Sequence, residues 1–110
     1  MLFHSVYFSL IDRSEAAVHK MLGDCRKYLT EHPGVFFFAC GTPNPDLTRP
    51  VNDRDFDVAL QIAFDSKEAH DAYQDAPAHQ QFMSENKPNW RLVRVFDADV
   101  DAGSVVSVSA

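Results

Sequence analysis

The 110-residue sequence contains only two cysteines, Cys25 and Cys40. Two thiols cannot build a disulfide framework, and these do not form a CxxC pair with redox or zinc spacing; both are expected to be reduced, buried and intracellular. Glycine is scarce as well. With Gly23, Gly34, Gly41 and Gly103 as the full set, neither a GxGxxG loop nor a Walker loop can be written, which excludes a nucleotide cofactor held that way. Basic residues are few: ten Lys and Arg stand against sixteen Asp and Glu, a formal charge of -6. That sign is wrong for a domain whose main task is gripping phosphate backbones or an anionic membrane, so no nucleic acid and no membrane partner is expected. Long apolar runs are missing too. Met1 to Leu10 carries no Lys or Arg, is interrupted by His4 and Ser5, and is followed by Asp12 and Arg13, so neither a secretory leader nor a membrane span is predicted and the expected location is cytoplasmic. HxxxH and HExxH spacings do not occur, and His19, His32 and His70 are expected at helix surfaces or ends. The spacing therefore predicts no metal site and no cofactor.

What is present is the composition of one folded domain, 45% hydrophobic and 12% aromatic. Leu2 to Leu10 alternates with period two and reads as a strand. Val18, Met21, Leu22, Cys25 and Leu29 follow helical spacing, predicting a helix over Ser14 to Glu31 with Asp12 or Ser14 as N-cap and Pro33-Gly34 as its stop. Val35 to Gly41 is a short apolar run bounded by glycines, hence a buried strand. Phe56, Val58, Leu60, Ile62 and Phe64 alternate with smaller or polar residues and predict a third strand with five large apolar side chains on one face. Asp65 or Ser66 caps a helix through Tyr73. Pro77 then restarts helical structure to about Glu85, since a proline is tolerated at the first helical position. Leu92 to Phe96 is the last predicted strand. The domain is expected over residues 1–98, with a loose or partner-packed tail at 99–110.

The order strand, helix, strand, strand, helix, strand is the β-α-β-β-α-β arrangement of a ferredoxin-like α+β fold, with an antiparallel sheet covered by helices on one face. The other face would present Tyr7, Phe37, Leu92 and Phe96, and a second copy of the chain is its expected cover. RNA-recognition domains share this order, but Arg54 to Leu60 lacks the aromatic pair and glycine of their RNA-binding strand. Thr42 to Asp55, with Pro43, Pro45 and Pro50, is expected to be either a lid or a mobile connection.

His4 ahead of an apolar first strand, Phe56 to Phe64 leading into Asp65-Ser66-Lys67-Glu68-Ala69, then Tyr73, Pro77-Ala78-His79 and a final Val95-Phe96-Asp97 together resemble the stress-responsive A/B barrel (Dabb) family. The resemblance spans roughly Leu2 to Asp97 and departs in the longer Thr42 to Asp55 connection. It implies a homodimer whose two sheets close into an α+β barrel. One plant member of that family is a cofactor-independent polyketide cyclase, using a histidine as acid/base and a tyrosine as its assistant; those residues match His79 and Tyr73, and a first-strand histidine lining the same pocket matches His4. Proteins outside the family with the same barrel plan include cofactor-independent quinone-forming monooxygenases, a parallel that rests on fold alone.

Condensing a polyketone needs a base of near-neutral pKa and a donor for the oxygen that gains charge, roles that imidazole and phenol can fill. With Pro77 at the first helical position, His79 falls in the first turn, where the helix dipole disfavours imidazolium. Each residue also has a plainer role: a first-turn histidine is often a packing or capping residue, Tyr73 suits an amphipathic core position, and His4 suits a satisfied core histidine. Two functional classes follow. One is a small enzyme or binding barrel for an apolar carbonyl compound; the other is a non-catalytic stress-associated homodimer.

Overall fold

In the computed structural model, residues 1–101 are described, and they form a four-stranded antiparallel sheet with three helices on one face. The chain runs β1 (Leu2–Leu10), α1 (Glu15–Leu29), β2 (Val35–Gly41), β3 (Val58–Phe64), α2 (Lys67–Asp75), α3 (Pro77–Asn86) and, after a 3-10 turn over Lys87–Asn89, β4 (Trp90–Asp99). The sheet order is β2-β3-β1-β4, with β1 and β3 at its centre. This is the ferredoxin-like α+β plan that the alternation of the strands predicts.

Local chemistry explains where the elements begin and end. Ser14, not Asp12, caps α1, its hydroxyl accepting from the Ala17 amide, while the Asp12 carboxylate accepts from the Ser14 amide. Met21, Leu22, Cys25 and Leu29 turn inward from that helix. Ser66 caps α2 in the same way, accepting from the Ala69 amide. Ala76 is extended, as a residue before proline must be, and so separates α2 from α3. Pro33-Gly34 lies past the end of α1 and forms the turn into β2: the Val35 amide donates to the His32 carbonyl, and Gly34 has φ +87°. Proline followed by a residue of positive φ is the signature of a type II turn.

Three expectations need correction. β3 begins at Val58, two residues later than its alternation suggests, and Phe56 packs against Tyr7, with ring centroids 5.1 Å apart. Only Val58, Leu60, Ile62 and Phe64 form the buried row. β4 runs well beyond Phe96, because the β1 ladder continues through His4 opposite Asp97 to Leu2 opposite Asp99. The expected tail therefore starts inside a strand, and its part from 102 onward lies outside the described residues. β2 is not the buried strand its apolar run suggests but an edge strand with Phe36 and Phe37 exposed, so Cys25 is buried while Cys40 is only half-buried.

The core is built from Val6, Phe8 and Leu10 of β1, the β3 row, and the inward residues of the helices, including Tyr73 and Phe82. On the opposite sheet face, Phe3 stacks edge-on with Phe37, and Tyr7 with Phe96. Phe37 and Phe96 remain 49% and 56% exposed. The 42–55 connection is pinned to the β4 edge by the Asp53 and Asp55 carboxylates, which pair with Arg94 and Arg91. No helix of the described residues is long and apolar enough to cross a membrane.

Candidate functional site

Alternation along β1 aims His4, Val6 and Phe8 at the helices, and all three are buried. Above them, α2 contributes Tyr73 and α3 contributes His79, the third residue after the Ala76 cap. Together with Phe82, Met83, Trp90 and Val93 these residues line an apolar cleft of about 350 Å³ between the sheet and the last two helices. A cleft of that size lies at the small end of the range for small-molecule sites. Gln74 and Lys87 are the polar residues at its margin, and Val95 completes the wall on the edge strand. The 42–55 connection contributes nothing to this lining, so the lid expected there is not over this cleft. A larger groove of about 460 Å³ between the start of α1 and the end of α3 is lined by Asp12, Lys20, Glu85 and Asn89 and contains no histidine or tyrosine.

The three residues singled out from sequence meet in the cleft. The Tyr73 and His79 rings are 4.8 Å apart in an edge-to-face arrangement, and the His4 ring is 6.1 Å from Tyr73. Tyr73 is 2% exposed and His79 8%. Burial lowers the His79 pKa from its ordinary value, and the neighbouring His4, His32 and His70 rings push it the same way. A neutral imidazole at pH 7 results. Burial raises the Tyr73 pKa, so the phenol keeps its proton and can donate it in a hydrogen bond. The Nδ1 atom of His79 is sealed, without a hydrogen-bond partner among the described residues, so exchange with anything in the cleft falls to Nε2. The Trp90 indole N–H on the same wall is likewise buried and unpartnered.

His4 has a partner that the sequence did not reveal. Its Nδ1 lies 2.5 Å from Oδ1 of Asp97 on β4. Burial lowers the His4 pKa, and the Asp97 hydrogen bond and charge oppose that shift. His70 is not the surface residue its helical position suggested: it lies one turn before Tyr73 on the same helix face, its ring 5.1 Å from that of His4. Two signals could have exposed the pair. Val93, Val95 and Asp97 share a strand parity, and His70 and Tyr73 share an i, i+3 spacing.

Comparison with known proteins settles the family. The stress responsive A/B barrel domain matches residues 2–100. The chain belongs to that family. No curated protein matches the sequence. Among solved structures, a Dabb family protein with a ferredoxin-like fold from Mesorhizobium loti is 21% identical, with a TM-score of 0.76 over 92% of this chain and 97% of that one. A dimeric ferredoxin-like protein of unknown function from Thermobifida fusca is 19% identical, with a TM-score of 0.76 over 90% of each chain. A hydroxynitrile lyase from Passiflora edulis is 20% identical, with a TM-score of 0.73 over 94% of this chain and 96% of that one. At these identities the likeness is one of fold. Within it, this Dabb chain places His4, Tyr73 and His79 around a cleft between sheet and helices, and the activity has to be argued from that cleft.

Proposed function

We propose that this Dabb domain binds a small apolar carbonyl compound of polyketide type in the cleft and moves a proton on it, with His79 as acid/base, Tyr73 as hydrogen-bond donor and His4 in the wall behind them. The observation that carries this reading is the His79 ring 4.8 Å from the Tyr73 phenol ring, both lining an open apolar cleft. A purely structural role for the pair would leave that space filled by side chains.

The chemistry follows from the two groups. His79 Nε2 takes a proton from a carbon flanked by carbonyls, and the electron pair moves onto the carbonyl oxygen, which the Tyr73 O–H stabilises. The enolate carbon then attacks a second carbonyl of the same molecule, forming a carbon–carbon bond, and His79 returns the proton to the new alkoxide. Both groups come from the chain itself. The cleft's apolar walls exclude water and hold the chain of the substrate folded.

The same reading has the protein acting as a homodimer joined through the sheet face opposite the helices. Its support is the apolar side chains exposed there, Phe37 and Phe96, and the dimeric description of the Thermobifida fusca structure.

Trp90 is the single tryptophan and lines the cleft, so its fluorescence reports occupancy without a label. Titrating β-keto and phenolic compounds should give saturable changes for some of them. His79→Gln should abolish conversion while leaving the fold intact, and Tyr73→Phe should give a smaller loss. A fluorescence response to none of these compounds, or conversion that survives His79→Gln, would refute this reading.

A further inference from the structure

Beyond the cleft chemistry, we infer that His4, His70 and Asp97 form a binding site for a divalent transition-metal ion of the zinc type beside the cleft, with His4 common to both. One donor atom from each residue lies within 4.8 Å of the other two. Ligand atoms of a tetrahedral zinc site with bonds of about 2.1 Å are roughly 3.4 Å apart, so modest side-chain rotation brings these donors to bonding distance. His4 and Asp97 are already closer than that, at 2.5 Å. The set comes from three separate elements, β1, α2 and β4, which is why no spacing along the chain announces it.

The surroundings fit a metal ligand set better than an ordinary histidine–aspartate pair. His70 has its Nδ1 held 3.0 Å from the Asp71 carboxylate, leaving Nε2 as the nitrogen it can offer. A carboxylate on the far nitrogen is the arrangement that orients metal-bound histidines and raises their basicity. Asp71 is itself fixed by Lys67 at 2.6 Å. Two imidazoles and one carboxylate make a mixed nitrogen and oxygen set suited to zinc and poorly suited to calcium or magnesium, which prefer oxygen alone. The Asp97 side chain is 41% exposed, so an ion can reach the set from solvent, whereas His4 behind it is buried. On binding, the proton on His4 Nδ1 that faces Asp97 is exchanged for one on Nε2, so the imidazole stays neutral and Nδ1 is free to bind the ion. Three protein ligands leave one coordination position for water or another small ligand.

The test uses the tag-free, full-length protein. Calorimetric titration with zinc chloride should show one ion bound per chain, and cobalt(II) in its place should give the intense visible bands of a four-coordinate site. Asp97→Asn and His70→Gln should each weaken binding by more than about 100-fold, and Asp71→Asn, which touches no ion, by about 10-fold. His19→Gln should leave binding unchanged. Asp97 and His70 are not core residues, so these variants should keep the parent melting behaviour, and the Trp90 ligand response tests the cleft proposal separately. Absence of zinc binding by the unaltered protein, binding retained by both Asp97→Asn and His70→Gln, or loss in His19→Gln would overturn the assignment.

Discussion

Gly34 offers a prediction whose size can be worked from the structure. Its φ of +87° is left-handed, and a Cβ built there would lie 2.4 Å from Ala69 Cβ and 2.9 Å from Asp65 Oδ1. Gly34→Ala therefore incurs two penalties. Left-handed backbone costs an L-residue about 1–2 kcal/mol, and carbon atoms prefer separations of about 3.5–4.0 Å, so α2 must move away by more than an ångström, an overpacking worth roughly 1–3 kcal/mol. The lost freedom of the unfolded chain returns about 0.4–1 kcal/mol. A net loss of roughly 1–4.5 kcal/mol follows, large against the 5–15 kcal/mol of an ordinary domain. Urea unfolding followed by Trp90 fluorescence reads it directly. The same displacement moves the helix that carries His70 and Tyr73, so ligand response should weaken along with stability. Ala69→Gly in the Gly34→Ala background should recover the part of the overlap that falls on Ala69, less up to about 1 kcal/mol for a glycine in α2, but not the Asp65 contact or the backbone component. A loss below about 1 kcal/mol would refute the reasoning, because neither penalty could then be present at its stated size.

Two further predictions concern pH and assembly. His79 has a folded pKa below its unfolded value of about 6.5, so the unfolded chain binds the proton more tightly; stability should be complete above pH ~6.5 and decline as pH falls from there through the folded pKa. Urea midpoints between pH 5 and pH 8 check this, and His79→Gln should flatten the acid side of the profile; a profile identical to the parent would contradict the assignment. Sedimentation at micromolar concentration should show a dimer, which Phe96→Asp on the open sheet face should dissociate while an exposed helix change such as Glu15→Gln should not. A monomeric parent, or a dimer untouched by Phe96→Asp, would remove the proposed interface.

Much of the architecture was legible before any fold was seen, because it is local. Period-two alternation marked β1 at its observed bounds, and Pro77 marked the break between α2 and α3, since both effects operate within a few residues. The placement of His79 in a first helical turn and of His4 on the inner face of β1 followed from the same short-range rules. The end of β4 did not follow, because nothing after Phe96 continues its apolar alternation; the strand persists only because β1 offers unpaired backbone groups as far as Leu2.

The sequence by itself determined the element order, the inward faces and the identity of the groups able to do acid/base chemistry, and narrowed the caps of α1 and α2 to two nearby candidates each. Only the tertiary structure decided which of those groups meet. His4 and Asp97 are ninety-three positions apart in the chain, yet antiparallel pairing of β1 with β4 makes them neighbours. His70 joins them because Gly34 lets α2 approach the sheet closely, and Tyr73 reaches His79 because the chain turns at Ala76. Spacing along a chain reports contacts within one helix or strand; contacts between elements depend on register and packing, which are settled when the whole core is buried at once.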